Sequence, residues 1–230
     1  VSGSILASLS VMRLLLVFLA GCNVLAAPSD LVDKVRDARV RMHKRFEASE
    51  RMQQALAVGR LEQARSEARL IDQLKEPDAL PEWREHIDRI REAARKVATA
   101  EDTVSAARSS AALGRQCARC HEAGATRVAF AKLPDSKHAT QMASHGWAAA
   151  RMWEGLIGPD DGRWLLGARQ LAEAKITITA ESGSLGIADD VSRVRLLAKR
   201  AIKPQSQDER SLLYGDLLAT CAHCHFVIRD

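Results

Sequence analysis

Cys117-Ala118-Arg119-Cys120-His121 and Cys221-Ala222-His223-Cys224-His225 are the two strings in this 230-residue chain whose residue types and spacing carry chemistry. Each is a C-x-x-C-H, the sequence on which haem is attached covalently. Two thiols three positions apart on one helical turn reach the two vinyl groups of one porphyrin, and the imidazole that follows is aimed at its iron. Four of the five cysteines fall in these strings, and both strings carry the His. Thiol redox chemistry is one rival. It normally uses a C-x-x-C that opens a helix, where the helix N-terminus lowers the thiol pKa, whereas each pair here closes a long helical pattern. A structural zinc site made of two C-x-x-C knuckles is another rival. The knuckles are 104 residues apart (117 to 221), and zinc gives no reason for a His after each second Cys. The expectation is two covalent haem c groups, attached through Cys117, Cys120, Cys221 and Cys224, with His121 and His225 as proximal iron ligands. Zinc or disulfide chemistry stays open as the alternative.

The start of the chain suggests the compartment. Residues Val1 to Ala27 contain no acidic side chain, one basic one (Arg13), and the apolar run Leu14 to Ala20. That run reads as an export signal, too short for a membrane anchor. Cleavage after Ala26 or Ala27 would follow small residues. Leu19-Ala20-Gly21-Cys22 also fits a lipoprotein box, in which Cys22 would carry lipid; the alternative is that Cys22 leaves with the signal. In bacteria haem is attached outside the cytoplasmic membrane, so the expected location is the periplasm or the outer face of a membrane.

Composition points to an all-α fold. Four Phe, four Trp and one Tyr are set against abundant Ala, Arg, Leu and Glu, a mixture that favours helix and is poor in strand formers. The net charge of +5 falls when Arg13 is removed, and haem propionates would offset more of it. It is not a nucleic-acid footprint. The charged residues are expected on solvated helix faces.

An internal repeat organises the rest. A shift of 104 superposes the two C-x-x-C-H strings and also sets Ile87-Asp88-Arg89-Ile90-Arg91 on Val191-Ser192-Arg193-Val194-Arg195 and Leu113 on Leu217. Earlier in each half the shift is 100, with Met42 on Met142 and Arg51-Met52 on Arg151-Met152. The difference belongs in a connection between helices, where insertion is cheap. The expected organisation is a signal over 1–27, a first haem-binding bundle over 28–122, a linker over 123–135 and a second haem-binding bundle over 136–230. Breakers at Gly59, Pro77 with Pro81, Gly158-Pro159, Gly183 to Gly186 and Pro204 give four helical segments per unit. Such segments pack as a four-helix bundle.

With C-x-x-C-H near the end of the last of four helices, each unit resembles the cytochrome c prime family, and the chain resembles a tandem duplication of it. The second unit carries the likeness further, since Phe226-Val227-Ile228-Arg229 after His225 is similar to that family's ending. In the first unit Glu122-Ala123-Gly124-Ala125-Thr126-Arg127 stands there instead. The resemblance implies two up-and-down haem bundles. The commoner cytochrome c architecture is a poor fit, because it places the haem motif early and a Met ligand later. Five residues follow His225 and none is Met or His.

A sixth iron ligand is therefore expected from upstream, most simply from the first helix of each bundle. Met42 and Met142, matched by the repeat, are the first candidates. His145 competes at the second haem; it is three residues from Met142, shares a face with His138, and falls on Arg45 in the repeat. Core packing is the plainer role for a Met on an apolar stripe, and is preferred for Met52 and Met152. His43, His86 and His138 read as surface residues. His223 could tune its haem's surroundings. Arg229 could meet a propionate or simply suit the helix dipole, and Arg89, Arg91, Arg193 and Arg195 read as a solvated face.

Two strong protein ligands on an iron favour electron transfer, while an open position favours small gases. The expected function is a dihaem electron carrier between redox partner proteins, and not an enzyme. A gas-binding protein of the cytochrome c prime kind is the alternative, and a peroxidase is a weaker one. The sequence leaves oligomeric state open, a dimer included.

Overall fold

The computed structural model describes residues 29–132, 141–174 and 185–229. The expectations for Arg13, Cys22 and His138 lie outside them, as does any for the Arg229 side chain. Among the described residues the elements are eight α-helices: α1 Ser29–Ala57, α2 Leu61–Gln73, α3 Pro81–Ala98, α4 Thr103–Ala123, α5 Gln141–Ile157, α6 Asp161–Glu173, α7 Leu185–Ala201 and α8 Gln207–Arg229. They form two packed groups, α1–α4 and α5–α8. No described helix is long and apolar enough to cross a membrane. By compactness the chain divides at Asp37. In the first part the opening turns of α1 carry an Arg36–Asp33 pair at 3.0 Å. The second part, Ala38–Asp230, holds the remainder of α1 and the other seven helices.

The helices begin where local chemistry satisfies their free amides. Asp102 accepts from Ser105 N at 2.7 Å and completes a capping box at the start of α4. Ser206 and Glu209 exchange the equivalent bonds at α8, at 2.7 and 3.2 Å. Asp160 caps α6 through Arg163 N at 3.0 Å. Pro81 sits in the first turn of α3, where its missing amide costs nothing.

The two shifts read in the sequence recur in the structure. α2 and α6 start at 61 and 161, while α4 and α8 start at 103 and 207. The extra four residues fall in the connection between α6 and α7, which spans 174–184 against 74–80. Buried side chains keep the same offsets: Met52 with Met152, Leu56 with Leu156 and Ala68 with Ala168 at 100, then Ile90 with Val194, Ala94 with Ala198 and Leu113 with Leu217 at 104.

The groups also pack on each other. Arg108 pairs with Asp216 at 3.1 Å and Arg115 with Asp208 at 2.7 Å, so α4 and α8 run antiparallel. Their backbones approach closely at Gly215, where a Cβ would lie 3.1 Å from Arg108 Cα. On α5, the Trp153 ring covers Gly114 of α4, its Nε1 donates to Ser49 of α1 at 3.3 Å, and it stacks on Tyr214 of α8 with centroids 5.7 Å apart. In the first repeat the matching pair is Gln53, which donates to Ser110.

One buried charge cluster sits within this core. Glu154 is 3 % exposed and accepts from both Arg151 and Arg163. Burial pushes the Glu154 carboxyl up and the Arg151 guanidinium down, so each charge is held by the other. Removing one partner leaves the others desolvated and unpaired. Glu154→Gln is expected to cost about 3–5 kcal/mol, read as a lower urea midpoint with an unchanged slope; a midpoint shift near zero would mean that the cluster contributes nothing to stability.

Candidate functional site

The C-x-x-C-H strings lie in the last turns of α4 and α8, and their four cysteines are half-buried free thiols. Burial pushes Cys117 and Cys221 up to about 12 and raises Cys120 and Cys224 as well. A reactive thiol pair would instead have a lowered pKa. The environment therefore favours neutral, desolvated thiols over a disulfide-exchange centre. Among the described residues no group of three or more His, Cys, Asp or Glu is arranged to hold a metal ion.

The motif histidines are held by the backbone. His121 Nδ1 lies 2.7 Å from the carbonyl oxygen of Ile157, the last residue of α5, and His225 Nδ1 lies 2.5 Å from that of Ala57, the last residue of α1. A carbonyl only accepts, so each Nδ1 must carry a proton, and in the neutral ring the lone pair is then on Nε2. This is the tautomer a metal-ligating imidazole needs, fixed by the kind of partner that usually fixes it. Burial also lowers the His121 pKa and favours the neutral ring. The exchange is reciprocal: each motif His is held by the end of the other group's first helix. Gly59, with φ +72°, lets the α1–α2 turn lie against the second motif, where a Cβ would sit 3.4 Å from Ala222 O.

α4 and α8 are antiparallel and each motif is near a C-terminus, so the two centres lie toward opposite ends of the pair. Counting from the Arg115–Asp208 contact, Cys120 and Cys224 are separated on the order of 30 Å along the axis, at ~1.5 Å per residue. α1 and α5, whose ends hold the two imidazoles, are antiparallel for the same reason.

The expected sixth ligands are placed unequally. Met142 is 48 % exposed, whereas Met42 is half-buried. His145 is half-buried, and its Nε2 is enclosed with no hydrogen-bond partner. Burial lowers its pKa, and the nearby His225 and Arg195 lower it further, which sets His145 beside the second motif. Arg45, its counterpart in the repeat, is buried near Cys117 and Cys120 and binds Glu76 and the Leu74 carbonyl, the latter at 3.2 Å. Arg41 joins it on Glu76. Arg45 Nε and Arg41 Nη2 are buried without partners.

The remaining candidates take structural places. His43 is exposed and His86 half-buried. His223 donates to Asp190 at 2.7 Å. Arg91 and Arg195 donate to the carbonyls of Asp72 and Ala174 at 2.8 and 3.3 Å, while Arg89 and Arg193 are exposed. Met52 and Met152 are fully buried core. Sequence reasoning missed Arg41, Arg45, Glu76 and the carbonyls of Ala57 and Ile157. Only Arg45 left a signal, its alignment with His145.

The donor set fits haem: at each motif, paired thiols three apart and an imidazole whose Nδ1 is held by a backbone carbonyl. No protein-family model matches the chain, and no curated protein and no solved structure matches it.

The thiol environment predicts slow chemistry. Without bound haem, the folded chain should react with iodoacetamide at pH 8 on the order of a hundredfold more slowly than the urea-unfolded chain. Mass spectrometry of timed samples reads this, and equal rates would mean that the four thiols are not buried as described.

Proposed function

We propose that this chain is an exported dihaem c-type cytochrome that carries single electrons between redox partner proteins. The observation that supports it most is the anchoring of both motif imidazoles. His121 and His225 are the residues a haem motif requires as iron ligands, and each has Nδ1 committed to a backbone carbonyl and Nε2 free. A redox disulfide or a zinc knuckle would place no such demand on them.

Haem, when bound, supplies reversible one-electron chemistry at its iron. The chain's part is to attach it through Cys117, Cys120, Cys221 and Cys224, to hold each proximal ring in one tautomer, and to keep water from the centre with the surrounding helices. The separation of the two motifs along α4 and α8 gives each centre its own end of the molecule, an arrangement suited to two docking surfaces. The order of four helices per group, with the motif in the last, supports the likeness to a duplicated cytochrome c prime. Gas binding at an open iron is the second reading, and the observation in its favour is Arg45 in the position where the second repeat has His145.

The experiment is expression with a haem-attachment system, followed by haem counting under denaturing conditions and a reductive titration. The expected result is two covalent haems per chain, each taking up one electron reversibly. Chain without covalent haem would overturn the proposal. His121→Ala and His225→Ala should each disturb the spectrum of one haem and spare the other; both haems intact in either variant would refute the proximal assignment.

A further inference from the structure

The two centres are built on one plan but finished differently. The Trp153–Ser49 hydrogen bond at 3.3 Å is a point of reference between the antiparallel helices α5 and α1. Eight residues from Trp153 toward the start of α5 is His145, and eight from Ser49 toward the end of α1 is Ala57, whose carbonyl holds His225. His145 is therefore level with the second motif. Four residues in the opposite sense pair Ile157, whose carbonyl holds His121, with Arg45. Arg45 is level with the first motif. The same two positions coincide under the 100-residue repeat.

Their chemistry differs in kind. His145 brings an enclosed Nε2 with no partner, an atom that can offer an iron a lone pair when the ring's proton is on Nδ1. A guanidinium stays protonated and has no acceptor to offer a metal. Arg45 is further tied back by Glu76 and Leu74 O, yet keeps a buried Nε–H unused, and Arg41 keeps an Nη2 unused beside it. Met42 lies three residues from Arg45, which puts it about 4.5 Å off the level of His121.

Resting on the haem reading above, we propose that His145 closes the second iron as its sixth ligand, whereas the first iron keeps an open position beside Arg45, suited to a small anionic ligand. One centre then only exchanges electrons, while the other can also bind.

Carbon monoxide, counted against covalent haem in the ferrous protein, tests the inequality. The expected stoichiometry is one CO per two haems, rising to two in His145→Ala. With two haems attached, either zero or two CO in the unaltered protein overturns the inference while leaving the dihaem reading intact; absence of covalent haem overturns both. Zero CO that becomes one in Met42→Ala would assign the first iron's ligand to Met42 instead. Azide binding to the ferric protein tests Arg45 itself. Arg45→Gln should weaken it by about tenfold or more, the loss expected of a charged hydrogen bond, with Arg45→Lys keeping part of the affinity. Unchanged azide affinity in Arg45→Gln overturns the role of Arg45, and a CO count measured alongside shows that the centre is still formed.

Discussion

Each motif imidazole depends on a peptide carbonyl that exists as a free acceptor only because a helix stops there. α1 ends at Ala57 and α5 ends at Ile157, and the last carbonyls of a helix have no amide of their own to bind. His225 and His121 use these two. The turn residues after them therefore matter as much as the imidazoles: had either helix run one turn further, the carbonyl would be bonded within the helix and the ring free to rotate. Gly59 is the residue that lets the first of these turns close against Ala222.

Because the partner carbonyl always belongs to the other group, neither group holds its motif His alone. The ion pairs between α4 and α8 and the insertion of Trp153 between α1, α4 and α8 serve the same end, fixing the two helix termini where the two imidazoles need them. Packing at this level tolerates little change in volume, since Gly114 has room only for the Trp153 ring. What is used twice is the carbonyl anchor: the end of α1 holds His225 and the end of α5 holds His121.

Much of this was legible in the sequence. Period and breakers gave eight helices, and the Pro and Gly positions gave their ends, because propensity and capping are local. The repeat gave the two offsets, and these recur as helix starts and as paired buried residues such as Met52 with Met152. The C-x-x-C-H strings gave the thiols and the imidazoles. What stayed hidden was non-local. No pattern marks Ile157 as the partner of His121, since any residue has a carbonyl. The buried clamp of Arg41 and Arg45 on Glu76 looks in sequence like the solvated charge found all along these helices.

The same hidden clamp marks where the two repeats differ most in the surroundings of their motifs. A buried guanidinium is tolerable only when its donors are matched, and Glu76 with Leu74 O supplies most of that match for Arg45. At His145 the buried Nε2 has no hydrogen-bond partner. Loss of Arg45 would leave Glu76 with Arg41 as its remaining ion-pair partner. Two C-x-x-C-H strings can in this way sit on a near-symmetric scaffold and still have different side chains nearby, Arg45 at the first and His145 at the second.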